Sequence, residues 1–381
     1  MKYVKNVIGA NYGDEGKGLA TRYFCLKANN PIVIFYQSSN NRGATIEKPD
    51  GFKIQLRHLS AGTFDNISTY FAKDFVINPV ELEIEYYNII FKDQKIPPLY
   101  IDTNCRIITP VDELIDRIRI IYLRKKGLQW HSVGVGTNSV YLRQQHKELD
   151  FKYKDFLEND PFELCNYIFD NWFYQCLKEF EIDEIPDLFE TYKTKEKNII
   201  GGFYEKFVLY KETINNLKQI LIPKTFDEIY RHYDTLIFEP NAGLRLGLES
   251  EIAGIYRTAA YVGITNTIDL LKPYSDYIGE ACYLTRPYIT KHGAGPMPEE
   301  TKNIYFYDEL NDFNFKQGLL RFGEFNYNDF LKRCEKDFLQ APNNWKMTTM
   351  LTHANELDIP EKKLFNYLSY TKYAEDIIIN E

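Results

Sequence analysis

Residues 3–18 read YVKNVIGANYGDEGKG, and this stretch decides the fold. The largely apolar segment 3–8 predicts a buried strand, the glycine-bearing segment 9–18 predicts a loop, and a helix is expected from about Leu19. A second apolar run at 31–36 predicts another strand after the helix. Strand, loop, helix and strand in this order indicate the start of a parallel α/β sheet.

The loop GDEGKG at 13–18 has the composition of an anion site. Glycines let the backbone approach phosphate oxygens, amides at a helix start point toward an anion, and Lys17 adds positive charge. The loop is not a Walker A motif, because that pattern has four residues before Gly-Lys and Ser or Thr after the lysine, where this chain has Gly18. A carboxylate repels phosphate, so Asp14 is expected to bind a metal ion or to act as a base.

The rest of the chain continues the α/β pattern without a composition shift or a long linker. Further strands are predicted at 99–101, 235–238 and 349–351, and helices at 110–126 and 155–180. The strongly helical segment 151–230 is expected to form a subdomain packed on the sheet. We therefore expect one α/β domain over 1–381 with a mostly parallel central sheet.

Composition narrows the class of protein. Hydrophobic residues make up 44% and aromatic residues 15%, which argues against disorder, and the net charge of −8 disfavours a broad basic face for nucleic acid. The six cysteines form no CxxC pair, so zinc and redox motifs have no support. No stretch approaches the roughly 20 apolar residues of a membrane span, and no signal peptide is evident. A cytoplasmic protein that binds small anions is expected.

Five stretches resemble, in the same order, motifs of the adenylosuccinate synthetase family. Residues 12–18 read YGDEGKG where the family has Trp-Gly-Asp-Glu-Gly-Lys-Gly, and 37–45 read QSSNNRGAT beside its Gln-Gly-Gly-x-Asn-Ala-Gly-His-Thr. Residues 57–63 (RHLSAGT) and 238–243 (FEPNAG) are similar to its His-x-x-Pro/Gly-Ser-Gly and Phe-Glu-Gly-x-Gln-Gly. Residues 283–296 (YLTRPYITKHGAGP) resemble the stretch ending Arg-x-Gly-Ala-Gly-Pro. Each match alone is weak, but the ordered set is specific.

The resemblance implies a reaction and its partners. Family members join L-aspartate to a purine nucleoside monophosphate after a triphosphate has phosphorylated the ring oxygen, and they work as homodimers with Mg²⁺. By position, Asp14 would take the proton from purine N1 and bind magnesium, and Lys17 would touch the transferred phosphate. The Gly43 carbonyl would be a second magnesium ligand. The residues expected to bind nucleotide are Gly13, Glu15, Gly16, Gly18, Asn41, Thr45, Ser132, Arg143, Thr352 and Asn355.

Two catalytic positions depart from the family pattern. Ala44 stands where the family has the histidine that supports phosphoryl transfer, and Ala242 stands where it has glutamine. Loss of such a general acid commonly lowers the rate about 10²- to 10⁴-fold unless another group replaces it. His58, in the nearby loop, is a candidate replacement. Reduced or redirected activity is expected otherwise.

The aspartate and donor sites also look altered. Gln317 and Arg321 are expected to bind the substrate aspartate, although leucines stand where the family has further arginines. The family reads guanine with the aspartate of Thr-Lys-Leu-Asp, and this chain has Asn355 at that position. An amide both donates and accepts, so it fits adenine better than a carboxylate does. The donor is therefore ATP or GTP, with GTP in doubt.

The acceptor phosphate is expected to bind the loop SVGVGT at 132–137, through small hydroxyls and amides near a helix start. Arg143 is the nearest candidate for the family arginine that reaches the partner subunit's nucleotide. Its spacing matches poorly, and a role on the helix surface is the alternative.

Three functions remain open from the sequence. The first is a ligase acting on IMP or dIMP. The second is a ligase acting on dGMP, as in certain viral relatives of the family. Those relatives tend to lose the loop aspartate, whereas this chain retains Asp14. The third is a nucleotide-binding homologue with altered catalysis, for example a sensor in phage defence, which Ala44 and Ala242 would suit.

Overall fold

The computed structural model describes residues 1–128, 134–183, 196–306 and 318–380. Its centre is a ten-stranded sheet. In order across this sheet the strands are β16 (Ile378–Ile379), β15 (Tyr367–Leu368), β14 (Trp345–Leu351), β11 (Tyr277–Thr285), β1 (Lys2–Gly9), β10 (Thr235–Phe238), β2 (Pro31–Phe35), β5 (Thr69–Phe71), β7 (Leu99–Ile101) and β9 (Leu221–Pro223). Neighbours pair in parallel except β15 with β16. The expected α/β class with a mostly parallel sheet is confirmed.

Ten helices and three small ribbons complete the described part of the chain. The ribbons are β3 (Ala44–Glu47) with β4 (Lys53–Leu56), β6 (Val76–Ile77) with β8 (Arg106–Ile107), and β12 (Ile289–His292) with β13 (Leu320–Gly323). The helices are α1 (Lys17–Lys27), α2 (Pro79–Ile90), α3 (Pro110–Lys125), α4 (Thr137–Arg143), α5 (Tyr153–Glu158), α6 (Pro161–Glu179), α7 (Glu196–Ile220), α8 (Phe226–His232), α9 (Thr265–Leu271) and α10 (Tyr327–Phe338). No helix described here is both long and apolar enough to cross a bilayer.

Local signals set most element boundaries. The predicted helix at 110–126 corresponds to α3, which begins with a capping box between Thr109 and Asp112 and has Pro110 in its first turn. The single helix predicted at 155–180 is wrong, because Asp160 caps a new helix whose first residue is Pro161. The chain therefore forms α5 and α6 in place of one long helix.

Both faces of the sheet are covered by helices. Val7 of β1 lies in one hydrophobic core with side chains of α1, α3, α6 and α7, whereas its neighbour Ile8 lies in a second core with side chains of α8, α9 and α10. Successive residues of a strand point to opposite faces, so adjacent apolar residues are needed where both faces are buried. This explains why the central strands read as continuous apolar runs.

The helical segment 151–230 packs directly on this arrangement. Trp172 of α6 is fully buried in the same core as Val7, and β9 adds a strand to the sheet edge beside β7. The helical character predicted for this segment agrees with α5, α6 and α7. Its standing as a separate subdomain stays a prediction.

Candidate active site

Loops from five neighbouring strands meet at the carboxyl edge of the sheet. The Asn11 side chain, after β1, donates to Thr285 Oγ1 at the end of β11 (3.0 Å), and the Gln37 amide, after β2, donates to the Asn241 carbonyl after β10 (3.1 Å). Thr352, after β14, donates from Oγ1 to the Glu15 carbonyl (3.0 Å). In open α/β sheets this edge is where ligands bind.

The loop after β1 is shaped by an inward-pointing carboxylate. Glu15 is 2% exposed and accepts hydrogen bonds from the amides of Asn11 (2.9 Å) and Gly13 (3.0 Å). Its other oxygen lies 3.5 Å from Lys17 Nζ. A Cβ on Gly9 would stand 2.3 Å from this carboxylate, so the close approach requires glycine there. The Glu15 side chain therefore holds the loop, and a contact of this residue with nucleotide stays a prediction.

Asp14 is the loop carboxylate that faces outward. Its backbone has a left-handed φ of 59°, and its carbonyl accepts a hydrogen bond from Arg286 Nε at 2.6 Å. Its side chain is 30% exposed, and Oδ2 lies 3.5 Å from Nε2 of His292. The main chain at Asp14 is therefore held by Arg286, and the carboxylate is partly accessible to solvent.

Basic side chains surround this carboxylate and its loop. Burial, together with the nearby charge of Arg321, lowers the pKa of Lys291 in β12 to about 8. Arg333, in α10, donates to the Ala10 carbonyl (3.1 Å) and to Asn11 Oδ1 (2.7 Å). With Lys17, these groups create a local positive field despite the negative net charge of the chain. Such a field favours phosphate and carboxylate ligands.

The loop after β2 carries buried polar atoms without partners in the described part of the chain. They are Gln37 Oε1 and Asn40 Nδ2, together with Glu239 Oε2 from the facing loop after β10. Buried polar groups are nearly always hydrogen-bonded in folded proteins, so these atoms mark where a ligand would supply partners. Asn41 lies among them, accepting from Ser38 Oγ at 3.0 Å.

Two further residues predicted to bind ligands are Gly43, at the end of this loop, and Thr45, in the strand that follows it. Gly43 is exposed, and Thr45 is half-buried in β3, where it pairs with Gln55 of β4. Among the residues described, no cluster of three His, Cys, Asp or Glu side chains forms a metal site by itself. Asp14 and the Gly43 carbonyl nevertheless offer oxygen donors, and Mg²⁺ commonly takes one or two carboxylates with phosphate oxygens and water. The assignment of these two residues to magnesium stays a prediction.

His58 was predicted as a candidate replacement for the missing imidazole. It is fully buried, and its Nε2 accepts a hydrogen bond from the Asn78 amide at 3.3 Å. Burial, aided by Arg42 and Arg57, lowers its pKa to about 3. The ring is therefore a buried neutral group at the start of α2, and this placement does not favour His58 as the replacement for the missing histidine.

Ala44 itself packs against the first turn of α1. It is 5% exposed, and a Cβ added to Gly18 would stand 3.0 Å from its methyl group. Gly18 is therefore needed for close packing of β3 on α1. The methyl group of Ala44 carries no proton donor into the site.

Arg143 is placed in the interior. It is 1% exposed, it contacts Asp112 through Nε and Nη2 (both 3.2 Å), and it donates to the carbonyls of Leu149 (2.6 Å) and Ile107 (3.0 Å). The guanidinium is enclosed and fully engaged with the protein, and its role in binding nucleotide stays a prediction. Ser132, the other residue predicted in this region, lies outside the described residues.

Arg321 is engaged by its own surroundings. Its Nη1 donates to the carbonyls of Gly293 (3.0 Å) and Gly295 (2.8 Å), and its Nε and Nη2 contact the Glu300 carboxylate. These contacts hold the glycine loop, and a role of Arg321 in binding the substrate aspartate stays a prediction. Gln317, its predicted partner, lies outside the described residues.

The segment after β14 separates into a buried and an exposed part. Thr352 is fully buried and its side chain donates to the Glu15 carbonyl, and its predicted contact with nucleotide stays a prediction. Asn355 is exposed beside Ala354, whose amide donates to the Ser369 carbonyl at 2.9 Å. Asn355 is thus available to a ligand.

The segment 283–296 was recognised in the sequence, but no role was predicted for Arg286 or His292. The positions of both residues depend on β11, the central strand that precedes them in the chain. The sequence did not predict this strand, because Gly279 and Glu280 interrupt its apolar pattern. Once β11 is placed beside β1, Arg286 lies next to the loop of Asp14. The sequence signal that could have identified Arg286 is a basic residue directly after a strand.

Comparison with known proteins gives a consistent result. The family model described as adenylosuccinate synthetase matches residues 6–319. The adenylosuccinate synthetase of Clostridium beijerinckii is 26% identical over 310 residues, which cover 77% of this chain and 65% of that protein. That of a Hydrogenobaculum species is 25% identical over 334 residues, covering 82% and 69%. The chain thus spans about two thirds of the length of these relatives.

Two solved structures share the fold. The fully ligated adenylosuccinate synthetase of Plasmodium falciparum superimposes with a TM-score of 0.66 at 19% identity, covering 95% of this chain and 79% of that one. The succinoaminodeoxyadenylate synthetase of cyanophage S-2L, bound to dGMP and to dATP as energy donor, gives 0.64 at 14% identity, covering 100% and 96%.

Proposed function

The chain belongs to the adenylosuccinate synthetase family, and on that premise we propose that it is a C–N ligase that joins L-aspartate to IMP or dIMP with cleavage of a nucleoside triphosphate. One observation carries the proposal to these substrates. Asp14 is held by Arg286 at the carboxyl edge of the sheet with its carboxylate exposed, among basic groups suited to phosphates. A carboxylate so held is suited to accept the N1 proton of a 6-oxopurine.

The proposed reaction has two steps. Asp14 accepts the proton from purine N1, so that the 6-oxygen attacks the γ-phosphorus of the triphosphate and the nucleoside diphosphate leaves. The amine of aspartate then attacks C6 and displaces inorganic phosphate, and it loses a proton as the C–N bond forms. Lys17 lies at the start of α1, where its charge favours the transferring phosphoryl group.

A magnesium ion would be held by Asp14 and the Gly43 carbonyl. When bound, it supplies charge neutralisation at the phosphate oxygens. The amides of Gly16 and Gly18, at the helix start, are proposed to bind phosphate. Asn41 is proposed to contact the acceptor nucleotide, since it lies on the loop with unpartnered polar atoms, and Thr45, at the start of β3, is proposed to contact the same nucleotide. A homodimer, as the family resemblance implies, is part of the proposal.

We propose ATP as the preferred donor. Asn355 is exposed at the position where the family reads guanine with a carboxylate, and its amide suits the donor and acceptor edge of adenine. The cyanophage enzyme, which uses dATP as an energy donor, is a precedent within this fold. Asn355→Asp is expected to shift donor preference toward GTP by about 10- to 100-fold, the value of one hydrogen bond to a charged group.

An assay of phosphate release tests both the reaction and the donor. The purified protein, with magnesium and ATP or GTP, is expected to release phosphate only when IMP or dIMP and aspartate are both present. Release with ATP alone would indicate a simple hydrolase and contradict the ligase. An unchanged ATP preference in Asn355→Asp would remove Asn355 from donor selection.

A second function is favoured by a separate observation. Ala44 and Ala242 bring methyl groups where the family motif has a histidine and a glutamine, and His58 is buried away from the site. A homologue that binds purine nucleotide without turnover, and signals to a partner, fits these losses. Nucleotide binding without phosphate release under any substrate combination would favour this sensor.

A further inference from the structure

We propose that His292 is the positioning residue for Asp14, so that this chain draws its active-site imidazole from β12 and not from the loop after β2. The inference rests on the proposed ligase function. It is independent of the family motif, in which the position of His292 is variable. What carries it is the direct approach of one imidazole to the one exposed carboxylate of the loop GDEGKG.

The two side chains face each other at the edge of the site. Nε2 of His292 lies 3.5 Å from Oδ2 of Asp14, and the side chains are 13% and 30% exposed. His292 is the last residue of β12 and is in register with Leu320 of β13. The ring is therefore mostly enclosed, with Nε2 near the carboxylate. Hydrogen bonds between catalytic groups are often long in ligand-free structures and shorten when substrate binds.

Both ends of this contact are anchored. On one side, Arg321 donates to the carbonyls of Gly293 (3.0 Å) and Gly295 (2.8 Å), directly after His292. On the other, Arg286 donates to the Asp14 carbonyl at 2.6 Å. Neither backbone can move far without breaking a charge-assisted hydrogen bond, so the approach of ring and carboxylate is set by the fold.

The role needs only a hydrogen on Nε2. A neutral imidazole with that hydrogen donates to Oδ2 of Asp14 and leaves Oδ1 to face the purine N1 proton. The hydrogen bond thereby fixes the rotation of the carboxylate about its Cβ–Cγ bond before substrate binds. Orientation of a catalytic group contributes directly to rate, and a misplacement of about 1 Å can cost about 10²-fold.

The other histidines of the described residues lie elsewhere. His58 accepts from the Asn78 amide, and His353 contacts Thr352 Oγ1 at 3.1 Å. His146 lies 3.2 Å from Glu179, and His232 is exposed at the end of α8. His292 is thus the one histidine in the described part of the chain whose ring contacts Asp14.

Steady-state kinetics of His292→Leu and His292→Gln test the proposal, with the exposed His232→Gln as matched control. Leucine fills similar space without a donor, whereas the glutamine amide places a donor near the position of Nε2. We expect His292→Leu to lower kcat about 10- to 100-fold, as loss of an orienting partner does, with KM for aspartate unchanged. His292→Gln is expected to recover most of the loss, and His232→Gln to match the wild type.

Other outcomes overturn the inference. Equal kcat in His292→Leu and the wild type would contradict it. So would equal losses in both His292 variants with unchanged melting temperatures, because orientation by a donor would then not explain the effect. If the wild-type protein itself shows no succinyl transfer, the proposed ligase function fails first. In that case the variants are compared by calorimetric titration of ATP with magnesium, where unchanged affinity in His292→Leu would contradict any role of His292 in setting Asp14.

Discussion

Replacing Asp14 with asparagine is expected to lower the rate of succinyl-nucleotide formation by about 10²- to 10⁴-fold, the range for loss of a general base. Asparagine has nearly the same shape but cannot accept the N1 proton. It also tolerates the left-handed backbone at this position better than alanine does, so the loop geometry is preserved. The rate is measured under saturating substrates, by phosphate release and by mass spectrometry of the product.

The structure gives reasons to expect that Asp14→Asn still folds and binds nucleotide. Glu15 holds the amides of Asn11 and Gly13, and Arg286 holds the main chain at position 14, none of which the substitution changes. Asp269→Asn, at an exposed position of α9, is the matched control and should keep full activity. Wild-type turnover in Asp14→Asn would remove Asp14 from the mechanism.

The second large effect concerns stability. Arg143→Met is expected to lower the free energy of unfolding by about 3–5 kcal/mol, because it leaves the buried Asp112 carboxylate without its cation. The two side chains are 1% and 0% exposed and lie 3.2 Å apart. Asp112, in α3, also accepts a hydrogen bond from Ser139 Oγ of α4 at 2.7 Å. Loss of the Arg143 contact is therefore expected to weaken the packing of α4 on α3. Urea unfolding followed by circular dichroism measures the change.

Two further variants separate charge from packing. Lys336→Met breaks the exposed pair between Lys336 and Glu251 and should leave stability unchanged, since exposed pairs contribute little. Arg143→Met combined with Asp112→Leu removes both charges and should be more stable than Arg143→Met alone. A wild-type midpoint for Arg143→Met would contradict the interior role given to this arginine.

Local signals in the sequence predicted the frame of the fold well. Strands β7 and β10 were predicted to the residue, and β1 and α3 to within one residue at each end, because apolar runs and caps specify them locally. β11 was missed because Glu280, in its middle, looks incompatible with a central strand. Lys5 of β1 (2.6 Å) and Thr348 of β14 (2.8 Å) satisfy that carboxylate. Such partners become visible only once the strand order is known.

Some residues of the candidate site were likewise predictable from the sequence, and others were not. The loop around Asp14 was recognisable because glycine, acid and lysine are adjacent in sequence. The buried positions of Arg143 and His58 were not recognisable, because their partners Asp112 and Asn78 come from other segments of the chain. His292 escaped notice for the same reason, because only the placement of β12 beside the loop of Asp14 brings the two side chains together.

The central claim is that the chain forms a bond between aspartate and a purine nucleotide. The most direct test incubates isotope-labelled aspartate with the purified protein, magnesium, ATP or GTP, and IMP, dIMP, GMP or dGMP in parallel, followed by mass spectrometry. We expect a labelled succinyl adduct with IMP or dIMP that is formed preferentially with ATP and disappears in Asp14→Asn. Nucleotide binding without an adduct in any combination would contradict the ligase, and an adduct with dGMP alone would contradict the proposed acceptor.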